Sequence, residues 1–168
     1  MDMVNVNFAL YEDGNEYLGL ASVALPALAN KIENIEGAGL AGEIEAIIPH
    51  LNAMDITINF RTTTEQAIRL SEIRRHNIDL RIAQEHEDPV NNNITYPDEK
   101  HYMVIIPKTH NLGSIAPSSP SNGSGEYTVR YWKTWLNGKE VREVDPMNMI
   151  YKVNGVDYLA DVRKALGK

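Results

Sequence analysis

The chain has 168 residues, 43% hydrophobic and 23% charged, with a formal net charge of −7. This is the profile of one soluble globular domain, residues 1–168, able to bury its own core, and the acidic balance argues against ordinary nucleic-acid binding. With no cysteine, a disulfide framework, a thiol nucleophile and a thiolate metal site are all excluded.

The opening stretch through Gly14 has no basic region and no long apolar run. It reads as neither a leader nor a membrane span, so the chain is expected to fold first in the cytoplasm. Val4 to Tyr11 alternates as a strand and Glu12-Asp13-Gly14-Asn15 supplies turn chemistry. Glu16 to Leu25 is predicted as the returning strand, stopped by Pro26. From Lys31 to Leu51 the isoleucines are irregularly spaced, and Gly37, Gly39 and Gly42 follow closely. These glycines lack the strand context and the Lys-Ser/Thr of a phosphate loop, so a flexible extended loop is predicted. Ala53 to Arg61 is the clearest strand. Met54, Ile56, Ile58 and Phe60 face a core, and Asp55, Thr57, Asn59 and Arg61 face water. Thr62 to Asn77 is predicted as the one internal helix, capped by Thr62 with Glu65 or Thr63 with Gln66. Ala67, Ile68, Leu70 and Ile73 form its apolar stripe and His76-Asn77 its end.

Ile78 to Asp88 alternates again, with Ile78, Leu80 and Ile82 inward and Asp79, Arg81 and Glu85 outward. A turn-rich connection leads to an apolar strand, His101 to His110. Asn111 to Glu126 is predicted as a mobile Ser/Gly/Pro loop. Glu126 to Asp145 is a long hairpin about an Asn137-Gly138 type I′ turn. Strict alternation puts Tyr127, Val129, Tyr131, Lys133 and Trp135 on one face and Thr128, Arg130, Trp132, Thr134 and Leu136 on the other. Neither face is polar, so both are expected to meet protein. Met147 to Val153 is the last strand, turned by Asn154-Gly155. A helix follows with Asp157 as N-cap, a Leu159/Val162/Leu166 stripe and Gly167 at C′. Many strands with two short helices point to a sandwich or small barrel.

Catalytic patterns are missing. Glu85-His86-Glu87-Asp88 alternates sides along a strand and cannot converge on a metal or a proton. His101 and His110 bracket one strand too far apart to share a ligand, and the serines form no nucleophile elbow. Trp132 and Trp135 point to opposite faces, which suits core plus interface better than a stacking platform.

The C-terminal run Asn148-Met149, Val153-Asn154-Gly155-Val156-Asp157, Leu159-Ala160, Arg163 and Ala165-Leu166-Gly167 resembles the signature of a family. That family is the major tail tube proteins of contractile-tailed phages and R-type-pyocin-like particles. Tyr131, Lys133, Asn137-Gly138 and Val144-Asp145 resemble it in the same order. So do Asp13-Gly14, Tyr17, Gly19, Leu25-Pro26, Leu28, Lys31, Glu33 and the glycine loop. Where that family has Ala-Gly-Gly-Met, this chain has Gly37-Ala38-Gly39-Leu40, and its Ser/Pro/Gly loop at 113–125 also departs.

The resemblance implies a mainly β fold, two packed antiparallel sheets forming a barrel-like sandwich with a flanking helix and a short C-terminal helix. It implies hexameric rings stacked into a hollow tube inside a contractile sheath, a channel for DNA or ions. No enzymatic activity, cofactor or membrane is implied. The implied partners are further copies of the chain and the tail sheath, baseplate and tail terminator proteins. In a phage, DNA would pass without specific binding, and the chain would reside in a virion tail or tail-like particle assembled in the bacterial cytoplasm. A secretion ring of type VI or another injection system, and a monomeric β-barrel binding module, remain as alternatives. On the tube reading, Asp55, Thr57, Asn59, Asp79, Arg81 and Glu85 are lumen candidates. Gly37, Gly39, Leu40, Gly42 and Glu43 are ring-stacking candidates, and Asp161, Arg163 and Lys164 face a neighbour or the sheath.

Overall fold

The structure, a computed structural model, describes residues 3–168; Met1 and Asp2, where the stretch read for a leader begins, lie outside the described residues. Strand β1 (Val4–Glu12) turns through Asp13-Gly14 into β2 (Asn15–Tyr17). That turn needs positive φ at both residues, and they have +50° and +81°, as a type I′ turn demands. The returning strand predicted to run to Leu25 breaks at Gly19 (φ +78°), where a Cβ would meet Thr62 Oγ1 at 2.9 Å. The chain then leaves β1 and runs as β3 (Leu20–Ala24) against β6 (Met54–Phe60).

Between them, β4 (Asn30–Ile35) and β5 (Ile44–Leu51) pair, among the described residues, only with each other. The segment predicted as a flexible loop is therefore a two-stranded arm. Strand β6 alternates as predicted, with Met54, Ile56, Ile58 and Phe60 buried. Helix α1 is shorter than predicted, only Glu65–Arg69, and its N-cap is Thr64, whose Oγ1 accepts from Ala67 N at 3.1 Å. Ala67 and Leu70 are buried, but Ile73 is 92% exposed. His76 already belongs to β7 (His76–Asp88).

A buried polar cluster fixes His76 in this strand. Glu12 Oε1 is hydrogen-bonded to His76 Nδ1 at 2.7 Å and accepts from Arg74 at 3.1 Å. Tyr17 donates its hydroxyl to Glu12 Oε2, and His76 Nε2 donates to the Glu72 carbonyl at 2.8 Å. A carbonyl only accepts, so His76 carries a proton on Nε2. Strand β7 begins where this pair forms.

Short β8 (Asn93–Thr95) follows, then the long strands β9 (Asp98–Asn111) and β10 (Gly123–Leu136). The Asn137-Gly138 turn leads to β11 (Lys139–Asp145), then β12 (Ile150–Val153) and β13 (Val156–Asp157). Helix α2 (Ala160–Ala165) closes the chain. The strand order is β13-β12-β11-β10-β9-β7-β1-β2. One edge of β10 has two neighbours: β6 along Gly123–Val129 and β11 along Trp132–Leu136. The eleven-stranded sheet forks there, and it curls so that the inward rows of β6 and β7 share one core.

Strands β1 and β3 do not pair but line a cavity of about 340 Å³ with Phe8, Val23 and Ile82. The fold is mainly β with two sheets, the curled one and the arm, and no closed barrel. Among the described residues no helix is long and apolar enough to cross a membrane.

Strict alternation fails in β10. Val129 pairs with Ile105 and Tyr131 with Val104, so Arg130 is an extra, bulged residue. The bulge flips the phase: Tyr127 and Val129 are buried before it, Trp132 and Thr134 after it. The two predicted faces are therefore each half core and half surface.

At the C-terminus the N-cap of α2 is Leu159, not Asp157. Asp157 accepts instead from Leu159 N at 3.0 Å and from Arg163 at 2.6 Å. The Arg163 bond holds its carboxyl below the ordinary carboxylate range. Gly167 (φ +75°) sits at C′ as predicted. Of the predicted stripe, Leu159 is buried, Val162 half-buried and Leu166 exposed.

Candidate functional site

Two outward faces and the arm make up the surfaces on which a role can be built. The first face lies on β3, β6 and the first half of β10. Ser22 and Ser124 flank Asn59, Ala24 and Glu126 flank Thr57, and Thr128 is opposite Asp55. Asn59 donates to Ser22 Oγ at 2.8 Å, and Lys108 reaches Asp55 at 3.1 Å. It is a wet face of small polar side chains with no aromatic among the paired residues.

The second face crosses β1, β7, β9, β10 and β11. One row runs Tyr11, Asp79, Tyr102, Lys133, Glu143; the next runs Ala9, Arg81, Lys100, Trp135, Glu140. Cations lie on the aromatics: Arg81 is 5.0 Å from the Tyr11 ring, and Lys100 and Lys133 are each 5.2 Å from that of Trp135. Tyr131 donates to Glu143 at 3.0 Å, and burial, helped by that carboxylate, pushes its phenol pKa up.

The six residues predicted to share one wall thus fall into two groups. Asp55, Thr57 and Asn59 belong to the first face, Asp79 and Arg81 to the second, and Glu85 lies further along β7 opposite Val4. The inward neighbours of both groups share one core, so the groups point away from each other.

The five glycine-loop residues Gly37, Gly39, Leu40, Gly42 and Glu43 form the arm's exposed tip, closed by Leu40 N donating to the Gly37 carbonyl at 3.2 Å. Asp161 and Lys164 are exposed on α2, whereas Arg163 turns back onto Asp157 and the Met149 carbonyl, both at 2.6 Å.

A further feature is the open end of the sandwich, where β6 no longer covers the inner face of β9, β10 and β11. Trp132 Nε1 donates to His101 Nδ1 at 3.0 Å, so that nitrogen is unprotonated, and His101 Nε2 donates to Glu99 at 2.5 Å. His101 is therefore neutral. Burial lowers its pKa, against the pull of Glu99. Unfolded chains take up the proton that the folded one resists. Stability is full above the ordinary value of 6.5 and falls as pH drops through it. Urea midpoints are expected to decline below that pH, and His101→Gln should flatten this part of the profile; an unchanged slope would show that His101 is not its source. Arg142 lies 4.2 Å over the Trp132 ring.

None of these surfaces resembles a reaction centre. Their chemistry is that of protein contact, and the comparisons with known proteins agree. The sequence model of the phage tail tube protein FII family matches residues 5–167. The chain belongs to that family. A tail tube protein of Escherichia phage P2 is 26% identical over 163 residues, 94% of this chain and 93% of that protein.

Two solved structures share the fold with a TM-score of 0.53. One is a chain of the sheath–tube complex of an extracellular contractile injection system in its extended state, 10% identical over 77% of this chain and 88% of that one. The other comes from the sheath/tube terminator of such a system, 9% identical over 77% and 94%. As a tail tube family member the chain is structural, not an enzyme, and such proteins are part of virion tails or phage-tail-like particles.

Sequence reasoning missed the strands of this tail tube chain's arm and the aromatic half of the second face. The signal for the arm was present in five isoleucines on either side of the glycine cluster. The second face was hidden by the bulge at Arg130.

Proposed function

We propose that six copies of the chain form a ring and that rings stack into the inner tube of a contractile particle. The observation that carries this is the arm. A two-stranded hairpin is marginal alone, and here Ile32, Ile35, Ile44, Ile47 and Ile48 are each at least 40% exposed. Apolar surface so concentrated marks an interaction site. The free edges of β3 and of the first half of β1 add strand-pairing sites around a ring, and a ring that closes consumes them.

Within this tube the face of Asp55, Thr57 and Asn59 lines the channel. Small polar groups beside Asp55 and Glu126 give phosphate little to hold, and Lys108 is paired with Asp55 at 3.1 Å, so DNA or ions pass without sticking. The face of Asp79 and Arg81, with Glu85 at its end, turns away from the channel. Aromatics paired with cations suit a protein partner, and the sheath, with terminator and baseplate at the ends, fits there alongside Asp161 and Lys164 of α2. Arg163 supports that helix from within.

The test is a chain carrying Gly39→Asp and Leu40→Asp. Negative-stain microscopy is expected to find rings without long tubes; tubes of unchanged length would remove the arm from stacking. A second variant, Asp55→Asn with Glu126→Gln, is expected to shift stability by no more than about 0.5 kcal/mol and to assemble, while ion conductance through the tube changes. Loss of soluble protein would instead assign these residues a structural role.

A further inference from the structure

The arm is apolar on both faces. Register places Ile32 opposite Ile47 on one face, with Asn34 and Glu45. Ile35 opposite Ile44 occupies the other, with Ile48, Glu33 and Lys31. All five isoleucines are 40–60% exposed. A hairpin lying on one surface would hide one of these faces and leave the other in water. Within its own chain neither is covered, since only the base residues Leu28 and Leu51 reach the core.

The same chain carries an uncovered surface of matching character. The open end of the sandwich holds a cavity of about 770 Å³ lined by Leu136, Val141, Val153, Trp132 and Arg142. Arg142 forms none of the ion pairs found among the described residues. Glu99, the acid in the lining of this hollow, is engaged by His101 and by Gln84 at 3.1 Å. On the arm, the face of Ile32 and Ile47 carries one carboxylate, Glu45, and no cation, whereas the opposite face balances Glu33 with Lys31. An apolar hollow with an unpaired guanidinium complements the first face in both shape class and charge.

We infer that the arm inserts between two other copies of the chain, each face against its own wall, with the Trp132–Arg142 hollow as the wall for Ile32, Ile47 and Glu45. This rests on the arm being the stacking element. It adds that stacking engages three copies at each arm, so a ring joins its neighbour through staggered subunits rather than one-to-one.

Ile32→Asp and Ile35→Asp, one on each face, provide the first test. Each alone is expected to abolish tubes while leaving rings; tubes formed normally by either variant would overturn the two-wall inference. The absence of cysteine gives a clean background for the second. Ile47→Cys with Leu136→Cys is expected to give intersubunit disulfides in oxidised tubes and none in isolated rings. Only monomer on a non-reducing gel, from tubes that assemble, would overturn the hollow as a wall. A chain with 31–50 replaced by a short turn separates the two readings. Tubes from that chain would overturn the stacking role itself. Tubes absent from it but formed by one face variant would overturn only the two walls.

Discussion

Replacing Glu12 with alanine is expected to cost about 3–5 kcal/mol of folding stability, the usual consequence of removing one partner from a buried ion pair. Glu12 is 4% exposed and His76 fully buried. Without the carboxylate, the His76 ring keeps its Glu72 carbonyl but Nδ1 is left without a partner, and the Tyr17 hydroxyl loses its own. Arg74 suffers least, because it also pairs with Glu72 at 2.8 Å and reaches solvent. Domains of this kind have roughly 5–15 kcal/mol in total, so a melting temperature lower by about 10 °C is expected. The control is the double change Glu12→Met with His76→Met, which removes both buried polar partners and should recover most of the loss. If Glu12→Ala melts within a degree or two of the parent, water reaches the cluster and the pair does not hold β1 to β7.

Trp132→Ala should be nearly as damaging, about 3–5 kcal/mol, through the cavity left by a large buried ring. The indole is 3% exposed. Its loss also strips His101 Nδ1 of a donor and Arg142 of its platform, leaving the 3.1 Å Thr134 hydroxyl as the only partner of that nitrogen. Trp135→Ala, three residues on, is expected to cost less than about 1 kcal/mol, because its ring lies between two lysines at the surface. Parallel urea titrations measure the contrast. Equal losses would mean that β10 does not hold the phase the bulge gives it.

Where one face of a strand is core and the other water, the sequence was legible. Met54 to Phe60 is such a case, and Asn137-Gly138 marked its hairpin because both residues need positive φ. The arm was not legible, because alternation presumes one wet face and both arm faces are apolar. Ile68 and Ile73 fitted a helical stripe, yet they are 43% and 92% exposed. What holds His76 in β7 rather than at a helix end is a contact with Glu12, 64 positions away, and no local pattern encodes it. The candidate channel residues were readable as outward-facing. Which of two outward faces each belonged to depends on the curl of the sheet, set by pairings far apart in the chain.

The extra residue at Arg130 marks where this hairpin tolerates a change in length. Val129 stands opposite Ile105 and Tyr131 opposite Val104, consecutive residues of β9, so Arg130 fills no place of its own in the ladder. Deleting it would leave an unbroken pleat, with Val129 inward, Tyr131 outward and Trp132 inward. His101 would keep both of its β10 partners, and the face carrying Lys100 would keep its aromatic. What would go is the local bend and added twist of the bulge. A relative that lacks this residue while keeping the fold is expected to show plain alternation through β10, with the same polarity at all six following positions.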